Sequence, residues 1–228
     1  MRAWTSRRVQ RALRQAASGY VERGWAVAPG AYLLAGRRAD RGVPVRSHRC
    51  SCLRPACPAP GAHPIDPDWA GQATSRAAAV DWWWSSRPHG IVLPVGLSFD
   101  VLDVPGRVGP LALNLIRVSG CPVGPVARTP DGRWQFLSSP SGRSSSDFPV
   151  PRGVGHRGSG DFLLAPPSRF GPAIGSVWVC PPSAANRRLA PAATVTEAIE
   201  SACAALPVPA ATSARPRPRY LLDLAHIR

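Results

Sequence analysis

Three cysteines and a histidine fall in one short stretch, CSCLRPACPAPGAH, residues 50–63. Thiolate sulfur and imidazole nitrogen are ligands that zinc takes, and Cys3His is one of its common tetrahedral sets. The spacing Cys50-x-Cys52-x4-Cys57-x5-His63 reads as such a set, with His48 a spare donor nearby. A disulfide and incidental free thiols are the competing readings. Four protein ligands leave no open coordination position, so zinc held here is structural and pins a loop that has no core of its own. The prolines and Gly61 keep that loop from becoming helical. Cys121, Cys180 and Cys203 are scattered over predicted core elements and read as small buried hydrophobes.

The elements that must position this loop follow from periodicity. Residues 6–23 place Val9, Leu13, Ala16, Ala17, Tyr20 and Val21 on one side and arginines with Gln10 on the other, an amphipathic helix ended by Gly24. Trp25–Ala28 reads as a short buried strand stopped by Pro29 and Gly30, and residues 36–68 as a long Arg/Gly/Pro-rich loop. A second helix is capped by Thr74 or Ser75, closed by Pro88, and carries Trp82, Trp83 and Trp84. GIVLPVG and SFDVLDVP look like a hairpin of buried strands, residues 109–118 like a helix, and GPVARTPDGRWQFL like a second hairpin turning at Pro130 to Gly132. Residues 138–160, rich in Ser, Gly and Arg, read as mobile; strands DFLLAPPS and GSVWVCPP and a helix over 194–206 follow. Strands alternating with helices give an α/β or α+β class. Residues 1–206 are expected to form one domain with the zinc loop, 46–66, inside it, and residues 207–228 a Pro/Arg-rich linker and short helix.

Charge narrows the partners. The 228-residue chain has 28 basic and 13 acidic residues, a net charge of +15, and every basic residue is arginine. GC-rich codon usage explains arginine in place of lysine, but not the surplus, which favours a polyanionic partner, nucleic acid first. No apolar run approaches the roughly 20 residues of a membrane span. The N-terminus has no continuous apolar region with a cleavage site, so a cytoplasmic chain with reduced thiols and no membrane partner is expected.

Three further stretches, in order, carry a resemblance: CSCLRPACPAPGAHPIDPDWAGQATSRAAAVDWWWSSRPHGIVLPVG, SFDVLDVP and HRGSGDFLLAPPS. Over roughly residues 10–190 the chain resembles the bifunctional DNA primase/polymerase N-terminal domain, the Prim-Pol branch of the archaeo-eukaryotic primases, in its short actinobacterial form. The resemblance implies a Prim-Pol-like core, an RRM-like mixed sheet flanked by helices, with the zinc loop inserted near the N-terminus. It implies DNA-directed nucleotidyl transfer, Mg2+ or Mn2+ where the site is active, and DNA, RNA or nucleotides as partners, with replication or regulatory proteins besides.

The same resemblance locates site residues. Asp103 matches the first acid of an acid-x-acid motif whose second position falls on Pro105. Asp100, three residues away, points to the opposite face of a regular strand and reads as a strand-edge or turn residue. In TPDGRWQF, Trp134 stands about where a phosphate-contacting histidine is expected, with Arg133 beside it. In Gly155-His156-Arg157-Gly158, Gly155 takes the place of a metal-binding aspartate; His156 is a substitute candidate and Asp161 faces away. Asp103 is thus the one surviving motif acid, and Arg133, Arg157 and His156 are candidates for phosphate or nucleotide. Three readings follow: a catalytically degenerate nucleic-acid or nucleotide binder with a basic cleft, an active polymerase using an unusual set such as Asp100, Asp103 and Asp161, and a regulatory protein-interaction module.

Overall fold

A computed structural model describes residues 7–34, 49–169 and 175–206. His48, most of the predicted arginine-rich loop before Arg49 and the predicted tail at 207–228 lie outside them. The described elements are α1 (Arg7–Glu22), β1 (Ala28–Gly30), β2 (Leu33–Leu34), β3 (Arg49–Cys50), α2 (Trp69–Gln72), α3 (Ala77–Ser86), β4 (Gly90–Pro94), β5 (Asp100–Val104), α4 (Gly109–Val118), β6 (Val126–Arg128), β7 (Trp134–Ser138), β8 (Gly155–Arg157), β9 (Phe162–Ala165), β10 (Val177–Cys180) and α5 (Ala192–Ala205). The fold is mixed α+β, and the chain divides into two compact units.

The first unit gathers described residues 7–34, 49–93, 164–169 and 175. Helix α1 buries Leu13, Ala17 and Tyr20, as its periodicity predicts. It packs on α3, where Gln10 Nε2 donates to the carbonyls of Trp84 (3.0 Å) and Ser85 (2.7 Å). The tryptophan run splits by helix geometry: Trp84 is fully buried and donates from its indole to the His89 carbonyl (2.8 Å), whereas Trp82 is 70% exposed. Helix α3 starts at Ala77, later than expected. Thr74 is occupied, bridging to Val27 and accepting the Arg76 amide on its hydroxyl.

A three-stranded sheet has the order β1-β4-β9. The first strand lies at 28–30, not 25–28, and contains the Pro29 and Gly30 expected to stop it. Strand β1 is at the sheet edge, where a proline lacking its N–H is tolerated. Its outer side is covered by the cysteine loop: Ala31 N donates to the His63 carbonyl (2.7 Å) and Ile65 N to the Pro29 carbonyl (3.1 Å).

The second unit gathers described residues 94–163 and 176–206 around a five-stranded sheet, β10-β6-β7-β5-β8, antiparallel throughout. Strand β5 is buried along its whole length. The hairpin β6–β7 forms as predicted, but the expected β4–β5 hairpin does not. Strand β5 bonds to β7 and β8, and β4 to β1 and β9, so neither keeps a free edge for the other. Between β4 and β5 the chain turns at Gly96, whose φ of 90° suits glycine and whose amide donates to the Phe99 carbonyl. The segment read as mobile, 138–160, supplies β8, with Leu102 opposite His156 and Asp103 opposite Gly155. Helices α4 and α5 cover one face, building a core around Leu102, Val104, Phe136, Ile116 and Ile199.

Candidate functional site

The four donors of the opening stretch converge. One ligand atom from each of Cys50, Cys52, Cys57 and His63 lies within 4.8 Å of all the others. His63 Nε2 is 3.3 Å from Cys50 Sγ and 3.4 Å from Cys57 Sγ. A tetrahedron with sulfur at about 2.3 Å and nitrogen at about 2.0 Å from its centre has sulfur–nitrogen edges of about 3.5 Å, so the spacing fits one metal ion. The opposite ring nitrogen, Nδ1, sits 2.6 Å from the Pro64 carbonyl. Donation there leaves Nε2 bare and turned to the sulfurs, the arrangement that orients a ligating histidine. The Gly61 amide donates to Cys50 Sγ (3.3 Å). Burial pushes the Cys57 thiol up to about 12, and the adjacent Cys52 and Cys50 add to the rise. Crowded thiols of this kind ionise readily only when a cation offsets their charge.

On β5 alternate residues face opposite ways. Asp103 and Val101 share one face; Asp100, Leu102 and Val104 share the other, which carries the helix-covered core. Asp103 is buried, with 8% of its side chain exposed, and both carboxylate oxygens are engaged. Oδ1 accepts from Arg133 Nε, and Oδ2 from Arg157 Nη2 (2.9 Å). Arg133 Nη2 also donates to the carbonyls of Asp103 (2.8 Å) and Gly153 (3.0 Å), and Arg157 Nη1 to that of Phe162 (3.3 Å). The two guanidiniums keep 24% and 19% of their side-chain surface exposed. Arg133 Nη1 and Arg157 Nε make no bond among the described residues, so this Arg–Asp–Arg group carries a net positive charge with donors to spare.

His156 is not a solvated loop residue, nor is Asp100 a strand edge. His156 Nε2 lies 3.0 Å from Asp100 Oδ2, with the two side chains 0% and 1% exposed. The same oxygen accepts the Ser141 amide (2.8 Å) and hydroxyl (2.6 Å), and Phe148 stacks on the imidazole at 4.3 Å. The pair holds the Ser-rich segment onto the core face, whereas Arg133 and Arg157 meet on the other face. The register decides this: His156 stands opposite Leu102, and Arg157 opposite Val101. Asp161 accepts from the Ser145 hydroxyl. Among the described residues the cysteine cluster is the single group of three or more His, Cys, Asp or Glu placed to share a metal.

Gln135 carries no signal of its own in the sequence. It lies opposite Asp103 in the β5–β7 register, is 3% exposed, and its Oε1 has no partner among the described residues. Only the strand pairing marks it out. Cys121, Cys180 and Cys203, expected to be buried, are half-buried at the margin of the α4–α5 core. No described helix is long and apolar enough to cross a membrane. A family model described as bifunctional DNA primase/polymerase, N-terminal (Prim-Pol) matches residues 17–195. No curated protein and no solved structure matches the chain.

Proposed function

For a chain that belongs to the Prim-Pol family, we propose a primase/polymerase-like domain that binds the phosphates of nucleic acid or nucleotides and has lost templated polymerisation. The observation that carries this reading is the state of Asp103, whose two oxygens are held by Arg133 and Arg157. A two-metal centre stabilises the charge that builds on a transferring phosphate through cations held by several carboxylates. Here the surviving acid serves as counter-ion to two guanidiniums, and Pro105 and Gly155 stand where its companions are expected. Asp100 lies on the other face of the strand, which argues against a set of Asp100, Asp103 and Asp161 and so against an active polymerase. The N–H groups that Arg133 and Arg157 leave unbonded can hold a phosphate without any metal, since a guanidinium fork matches its oxygens. A basic cleft around them is part of this proposal.

The cysteine cluster takes zinc in this reading. Its soft donors favour zinc over Mg2+ or Mn2+, and four of them close the coordination shell. Bound there, the ion supplies cross-linking and no chemistry. Cys50, Cys57 and His63 tie the loop to itself, and the loop backbone covers β1.

The test is a primer-extension assay with Mg2+ or Mn2+, run beside oligonucleotide binding across a salt series. Salt-sensitive binding without extension is expected, and each arginine–phosphate interaction removed by mutation should lower the salt slope by about 0.7 to 0.9. Robust extension abolished by Asp103→Ala overturns the reading.

A further inference from the structure

The Prim-Pol reading leaves the outer face of α1 and α3 without a task. Helix α1 is rich in arginine: Arg7, Arg8, Arg11 and Arg14 are all exposed. Their placement follows from the bonds to α3. Gln10 meets the carbonyls of Trp84 and Ser85, and Arg14 Nε pairs with Asp81 at 2.9 Å. The two helices therefore run antiparallel, with Gln10 and Arg14 at the seam. At about 100° per residue, Arg7 and Arg11 lie on the solvent side of that seam and Arg8 turns away from it. On α3 the same count places Trp82 at the solvent pole, beside Ser85 and level with the Arg11–Arg14 turn.

A singly exposed apolar residue needs no explanation, and Leu53, Leu97 and Val118 are others. Trp82 differs in its surroundings. It is the largest exposed apolar side chain among the described residues, and by the helical count it shares the outer face with the row of α1 guanidiniums. Asp81 is the one acid on α3, and its pair with Arg14 is half-exposed on both sides, so it is easily exchanged for a phosphate. Arg7 and Arg11 have no acidic partner among the described residues. From Arg7 to Arg14 the row is about 10 Å long at 1.5 Å per residue. A bare aromatic face flanked by a track of positive charge is what single-stranded nucleic acid requires: a base stacks, and neighbouring phosphates lie along the charge.

We propose that the α1–α3 face is a second nucleic-acid surface, separate from Asp103, Arg133 and Arg157. Trp82 stacks a base of a single strand, and Arg7, Arg11 and Arg14 hold the phosphates beside it. Stacking tolerates any base, so the surface favours single strands over duplex and shows little sequence preference.

The experiment uses the full chain and fluorescently labelled oligo(dT), read by anisotropy over a salt series, with Trp82→Ala and an Arg7→Gln/Arg11→Gln double variant. All three side chains are exposed, so the thermal midpoints should stay with the parent and the fold is not at issue. Trp82→Ala is expected to weaken binding about 5- to 150-fold, the range for loss of one stacked base, with Trp82→Phe recovering part of it. The double variant should lower the salt slope by about 1.4, two single-strand phosphates' worth. An Arg133→Gln/Arg157→Gln variant should leave the Trp82 effect in place, so failure of the Arg133–Arg157 site is distinguishable from failure of this one. Unchanged affinity and slope in both α1–α3 variants overturns the proposal. So does loss of binding to anionic vesicles or a protein with oligo(dT) binding intact.

Discussion

Replacing Asp103 by asparagine separates a counter-ion from a metal ligand, because the two roles give opposite signs. Asp103 makes two charge-assisted bonds, each contributing about 1.5 to 3 kcal/mol. Removing one partner of a buried ion pair costs about 3 to 5 kcal/mol. The guanidiniums keep a quarter or less of their surface in water, and asparagine retains one acceptor oxygen, so the lower end applies, about 3 kcal/mol. That loss appears in urea denaturation as a lower midpoint with an unchanged slope. The two arginines then face each other with no internal negative charge, so their demand for an external anion rises. Single-stranded oligonucleotide binding without added divalent metal should tighten by up to about tenfold, with a salt slope steeper by about 0.7. Arg157→Gln should do the reverse: Asp103 keeps Arg133, the stability loss is smaller, and binding weakens. If Asp103→Asn leaves metal-free binding unchanged and instead abolishes Mn2+-dependent nucleotide binding, Asp103 is a metal ligand and the counter-ion argument fails.

Three other perturbations follow from described geometry. Stripping the metal with a chelator, or Cys57→Ala, should deprotect the Ala31, Ser51 and Ile65 amides in hydrogen exchange, because the donor or the acceptor of each bond belongs to the cysteine loop; unaltered protection in a zinc-depleted sample tells against a structural metal. Burial lowers the His89 imidazole below its ordinary 6.5, a shift that outweighs the bond to the Gly30 carbonyl. The unfolded chain therefore binds the proton first, and stability is full above about pH 6.5 and declines as pH falls below it; the decline between pH 7.5 and 5.5 should be smaller in His89→Phe than in the parent. Gly96→Ala places a side chain at positive φ against the Ser159 backbone, and a loss of about 2 to 4 kcal/mol in denaturation is expected.

What could be read in advance was local. The four Cys/His donors that converge all lie within residues 50–63, the β6–β7 hairpin carries its own Pro-Asp-Gly turn, and α1 and α4 show their buried faces in a helical period. Pairings between distant segments were not legible. Strand β8 is three residues long, set among Gly, Ser and Arg, and exists because β5 offers it an edge. That pairing puts His156 on the core face and Arg157 beside Asp103, a division invisible in the string GHRG. Asp100 reads as a turn residue in the sequence because its partners, Ser141 and His156, are 41 and 56 residues away. The β4–β5 hairpin fails for a related reason: hydrophobicity and a glycine between two strands predict a turn, but not which strands win each free edge.

The chain's two charge-rich centres differ in when they can be completed during synthesis. A ribosome adds about 5 to 20 residues per second. The four Cys/His donors emerge within residues 50–63, and a loop that short closes at little entropic cost. A cation can therefore organise this segment while most of the chain is still to come. The Asp103 carboxylate waits for Arg133, 30 residues on, and for Arg157, 54 residues on. Until both have left the exit tunnel, the nascent chain holds a strand whose acid has no counter-charge and whose neighbours on either edge do not yet exist. The first unit's cysteine loop can thus be completed early in synthesis, and the central strand of the second only late.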